Sequence, residues 1–123
     1  MSKNKSAKGA ASSTQNSHIA VDVGFSGFQA DFKKLTGAEQ AEFFDAITKI
    51  QGMTWQQLWD TSSKTPGQKR GFNYEKIEGQ VTPGGEQVHS IRITQKFRAR
   101  VTRSDRWMRF ISLHPDHDSA YKK

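Results

Sequence analysis

Apolar residues recur at helical spacing in one stretch of this chain and alternate in another. After Thr36, the residues Phe43, Phe44, Ile47 and Ile50 fall on one side of a helical period, with Glu42, Asp45 and Lys49 away from it. Thr36 and Glu39 have capping-box spacing, in which hydroxyl and carboxylate each satisfy an orphan backbone amide. Gly52 is a plausible stop, and a shorter helix is predicted from Thr54, with Gln57 again three residues on. Trp55, Leu58 and Trp59 share its apolar side, so an αα-hairpin with an aromatic, core-facing stripe is expected. Ahead of it, the segment from Phe28 to Leu35 fits either a short strand or the lead-in to a helix.

Beyond a loop predicted over residues 61–71, the period changes to two. A brief extended piece is expected from Phe72 to Ile77, then a turn at Pro83-Gly84-Gly85. From Val88 to Thr94, Arg92 separates Ile91 from Ile93. From Phe97 to Thr102, Phe97, Ala99 and Val101 alternate with Arg98 and Arg100. A turn at Ser104-Asp105 leads to a run from Arg106 to Leu113 that is apolar on both sides. Trp107, Ile111 and Leu113 form one set and Met108 and Phe110 the other, as in a central strand. The expected class is α+β, with an N-terminal helical hairpin packed on one face of a small antiparallel sheet. Residues 1–17 carry no large apolar side chain. A flexible basic tail is therefore predicted over residues 1–24, and a single domain over residues 25–123.

Charge changes the picture. The net charge of +7 over 123 residues is unevenly spread. Residues 25–62 hold three lysines against five acids, whereas residues 63–123 hold thirteen basic residues against six acids. Arg92, Lys96, Arg98, Arg100, Arg103, Arg106 and Arg109 face only Asp105. Arginine offers a planar fork of donors that matches phosphate. If Phe97 and Ala99 point to the core, Arg98 and Arg100 line the opposite face, beside Ser90, Arg92 and Thr94 of the neighbouring strand. That face is a predicted phosphate-binding surface, with Arg92, Lys96, Arg100, Arg103 and Arg109 as its RNA contacts. Trp107, Phe110 and Tyr121 lie near enough in sequence to stack on bases.

The C-terminal stretch adds His114, Asp116, His117, Asp118 and Tyr121. Histidine titrates near neutrality and serves as general acid or base. The same groups could ligate a metal, but Pro115 interrupts them and no matching cluster lies elsewhere, so neither metal nor cofactor is expected. The absence of cysteine excludes disulfides and thiol chemistry. No apolar run is long enough to cross a membrane as a helix and no hydrophobic leader begins the chain, so a cytoplasmic protein with no membrane partner is expected.

The order of these pieces resembles the RelE/ParE toxin superfamily over residues 28–121. Phe32-Lys33-Lys34-Leu35 matches the start of that pattern, and the helical pair follows. Then come Ser90-Ile91-Arg92-Ile93, Phe97-Arg98-Ala99-Arg100-Val101, a hydrophobic strand and a terminal Tyr121. The resemblance implies the toxin of a type II toxin–antitoxin system. Such a protein is a metal-independent endoribonuclease that cleaves mRNA at the ribosome, with the 2′-hydroxyl as nucleophile, and is held by a cognate antitoxin. On this resemblance Arg98 stabilises the scissile phosphate, Arg92 supports it, and His114 and Tyr121 handle protons. Where the family places a basic residue just after this histidine, the chain has Pro115-Asp116, and His117 is the candidate replacement. The gyrase-directed ParE branch and a non-catalytic nucleic-acid-binding protein are the alternatives.

Overall fold

The computed structural model describes residues 14–60 and 71–116. A turn of 3-10 helix at Thr14–Asn16 leads into strand β1 (Ala20–Asp22). Three helices follow: α1 (Ser26–Lys33), α2 (Gly37–Gln51) and α3 (Trp55–Asp60). Four strands then run in succession: β2 (Glu75–Val81), β3 (Gln87–Arg92), β4 (Arg98–Ser104) and β5 (Trp107–His114). The α+β class is as expected, but the sheet is mixed rather than antiparallel. Its order is β1-β5-β4-β3-β2, and β1 lies parallel to β5.

The predicted tail ends earlier than residue 24. Ile19 is buried, its amide donates to the Met53 carbonyl, and residues 20–22 add the fifth strand beside β5. Three residues are too few for alternation to be visible in sequence, and the partner strand lies more than eighty residues away. Residues 1–13 of that tail, and the loop predicted over residues 61–71 except Gly71, lie outside the described residues.

Both predicted helix starts are present. The Thr36 hydroxyl accepts from the Glu39 amide at 3.1 Å while the Glu39 carboxylate accepts from the Thr36 amide at 2.9 Å. Thr54 and Gln57 make the same reciprocal pair. The segment left open as strand or helix is helical: it is α1, which packs on β5. Phe28 of α1, Phe43 of α2 and Phe110 of β5 meet with ring centroids 5.2–5.9 Å apart. The buried stripe of α2 is Phe43, Ala46 and Ile50. Phe44, one helical step off that stripe, is 57% exposed, and Trp59 likewise turns outward from α3. Phe110 is fully buried, which removes it from the set of residues able to stack on a base.

One irregularity decides which side chains share a face. Val101 pairs with Phe110 and Arg100 pairs with Ser112, so Ile111 is an extra residue in β5. Such a bulge inverts the alternation beyond it. Before it, Met108 and Phe110 face the core while Trp107 and Arg109 face away. After it, Leu113 faces the core while Ser112 and His114 face away. The sequence-based set of Trp107, Ile111 and Leu113 on one face is therefore incorrect, because plain alternation carries no sign of the extra residue.

Candidate nucleic-acid interface

The sheet face opposite the helices is built in rungs. Arg92, Arg98 and His114 stand in register across β3, β4 and β5, and Glu75, Ser90, Arg100 and Ser112 form the next rung across four strands. Past the bulge come Thr102, Arg109 and Asp22, and then Ser104, Trp107 and Ala20. Same-face neighbours on adjacent strands lie roughly 5 Å apart at Cβ. A strip of arginines thus runs from a histidine at one end to a half-exposed tryptophan at the other.

Arg98 is the most enclosed member, at 8% exposure. Its Nη1 donates to the carbonyls of Thr94 and Gln95 at 2.9 and 3.0 Å, fastening the β3–β4 hairpin loop. Those carbonyls also offset the repulsion expected where Arg92 and Arg98 face each other directly. Nε of Arg92 is buried with no hydrogen-bond partner among the described residues, an unmet donor on this rung. Lys96 is exposed in the same hairpin loop.

His114 is half-buried, and its Nε2 lies 2.8 Å from the Ser112 hydroxyl. Burial, and then the positive charge of Arg100, hold its pKa below the ordinary histidine value, with Asp31 acting the other way. The imidazole is consequently neutral at physiological pH and able to accept a proton. Asp31, from α1, also accepts a hydrogen bond from the Leu113 amide at 2.9 Å, which fixes the end of β5 where β1 no longer pairs with it.

Two other sequence-predicted contacts stand apart. Arg109 is on the arginine face, but its Nε is bonded to Asp22 at 3.1 Å. The Gly24 amide and Arg109 hold the Asp22 carboxyl below its usual range, so that pair stays charged. Arg103 pairs with Met108 in register and belongs to the opposite, helical face. Its guanidinium lies 4.2 Å from the Trp55 ring and donates to Gln15 and Thr14. The expectation that Arg103 joins the phosphate-binding face is overturned by the unbroken alternation of β4, which puts Arg103 on the side of Ala99 and Val101 and leaves Arg98, Arg100 and Thr102 on the other.

His117 and Tyr121, predicted to share proton transfer with His114, lie outside the described residues, as does Asp118 of the alternative metal set. Among the described residues no three His, Asp or Glu side chains gather in metal-binding geometry. No helix among them is long and apolar enough to cross a membrane. Sequence reasoning missed Ser112 and Asp31 as the groups that position His114. Ser112 lies two residues from His114 on the same side of β5, so alternation could have found it, whereas only the fold brings Asp31 to β5. Comparison with protein-family models, curated proteins and solved structures found no match for this chain.

Proposed function

We propose that this protein is an RNA-cleaving toxin of the RelE kind, acting on mRNA at the ribosome without a metal and restrained by a cognate antitoxin. The observation that carries the reading is a neutral, half-buried His114 in register with Arg98 and Arg92 on one sheet face. In this reading Arg92 and Arg100 hold the scissile phosphate and Arg98 keeps their hairpin in place. His114 takes the proton from the ribose 2′-hydroxyl. The 2′-oxygen then bonds to phosphorus as the bond to the 5′-oxygen breaks, and that leaving oxygen receives a proton, for which His117 and Tyr121 are the candidates. Preorganised positive charge lowers the cost of the charge developing on phosphate.

The commitment of Arg98 to loop carbonyls favours a second reading, a non-catalytic RNA-binding face. Primer extension on translated mRNA separates the two. His114→Ala is expected to lower cleavage by about 10²–10⁴-fold, with RNA binding reduced far less and with EDTA without effect on the parent. RNA binding that weakens with salt but no cleavage by the parent chain would leave the binding face alone. Growth arrest without RNA cleavage would point to the gyrase-directed branch.

A further inference from the structure

At the end of the arginine face remote from His114, Asp22, Glu86, Thr102, Ser104, Trp107 and Arg109 line one cavity of about 390 Å³. Trp107 and His114 are seven residues apart on β5, about 23 Å of strand. The cavity therefore lies several nucleotides from any bond cleaved at His114, yet on the same basic strip. Its chemistry differs from the rest of that strip. Trp107 is 46% exposed although it sits in an interior strand, where a large apolar ring would ordinarily be covered. Arg109 is held through Nε by Asp22, and among the described residues its two Nη groups take no partner. No ion pair holds the Glu86 carboxylate among those residues, although the Glu86 backbone is fixed by two bonds to Thr82.

We infer that this cavity is a nucleobase site that reads guanine in single-stranded RNA: Trp107 stacks on the base while Arg109 and Glu86 bond its edges. An arginine fork matches guanine O6 and N7, both acceptors. The adjacent guanine edge presents only donors, N1–H and the N2 amino group, which suit a carboxylate. Adenine offers one acceptor beside one donor there, and uracil and cytosine also mix the two, so no other base satisfies both side chains. Asp22 is a positioning residue that orients the Arg109 fork. Single-stranded RNA is the form in which a base is free to leave its neighbours and stack on an aromatic side chain.

The inference rests on the RNA-binding reading of the sheet, and its test keeps the two apart. Short 2′-O-methyl oligonucleotides, which lack the attacking hydroxyl, are titrated against the full chain by fluorescence anisotropy. The set comprises all-uridine strands and strands with one central guanine or adenine. The parent chain is expected to bind the guanine strand about tenfold more tightly than the others. Trp107→Ala should weaken that binding by about tenfold. Trp107→Phe, which keeps a stacking ring, should retain most of it, and Glu86→Gln should shrink the guanine preference. Equal affinity of the parent for all strands, or an unchanged guanine affinity in Trp107→Ala, overturns the guanine site. Where those same strands still bind in a salt-sensitive way that Arg92→Ala reduces, the basic face survives that result. A parent chain that binds none of them sinks both.

Discussion

His114 and His89 sit on opposite faces of the sheet, yet each is harder to protonate than a free imidazole. His114 owes this to burial and to the charge of Arg100. His89 owes it to burial and to Lys76, offset by a backbone hydrogen bond to Gln87. The His89 ring lies flat on Tyr74 with centroids 4.3 Å apart, and burial pushes the Tyr74 hydroxyl up to about 12. Both histidines start from an ordinary value of 6.5 and are lowered by folding. The unfolded chain therefore binds more protons in the window just below that value. Stability is present in full above the unfolded-state value and is lost as pH falls through the lowered folded-state values. The melting temperature should accordingly drop between about pH 7 and about pH 5, and His89→Phe, which keeps the stacked ring, should flatten part of that slope. A parent melting temperature that rises on acidification would contradict this account.

Among the elements, the contact between the helices and β5 carries the core, and it separates two phenylalanines that look equivalent in sequence. Phe110 is fully buried between Phe28 and Phe43, whereas Phe44 touches Phe32 and Phe43 only along an exposed flank. Phe110→Ala should cost about 3–5 kcal/mol through lost burial and an unfilled cavity. Phe44→Ala should cost about 1 kcal/mol, the worth of a partly exposed aromatic pair. Urea midpoints at unchanged slope report both, and equal losses would show that the buried stripe of α2 is misassigned. The helix starts were legible because a capping box is local chemistry within four residues. The faces were legible only to within one helical step, because Phe43 and Phe44 are equally apolar and which of them meets Phe110 depends on the approach of β5.

The whole molecule separates its charge. The segment holding all three helices is acidic on balance, and the block from Arg92 to Arg109 carries all but one of its charges as cations. Such a distribution orients the sheet towards a polyanion before contact, and more weakly as salt rises. This much was legible from composition and alternation, as were the last three strands, whereas β2 (Glu75–Val81) only overlaps the brief extended piece expected from Phe72 to Ile77. Strand β1 was not, since a three-residue strand is specified by its partner rather than by its own sequence. The side taken by Arg103 was legible, since it shares the parity of Ala99 and Val101, but the Trp55 ring it meets there was not. The register of β4 against β5 was not legible either.

That register turns on Ile111. A strand has a phase, odd or even, and each residue inherits its side from the count before it. One extra residue reverses the phase of everything downstream and of nothing upstream. In β5 the upstream half presents Trp107 and Arg109 to the basic face, and the reversed downstream half presents Ser112 and His114 to the same face. Ile111→Ala leaves the count intact and should keep the RNA cleavage proposed for His114. Deleting Ile111 lets Ser112 follow Phe110 in plain alternation, keeps Leu113 towards the helices and His114 on the basic face, and should likewise retain most of that cleavage. A deletion variant as inactive as His114→Ala would show that Ile111 is not the residue set aside from the pairing. The face is thus encoded in a length as well as in letters: were Ile111 counted into the pairing instead of set aside, the same letters would turn Ser112 and His114 towards the helices.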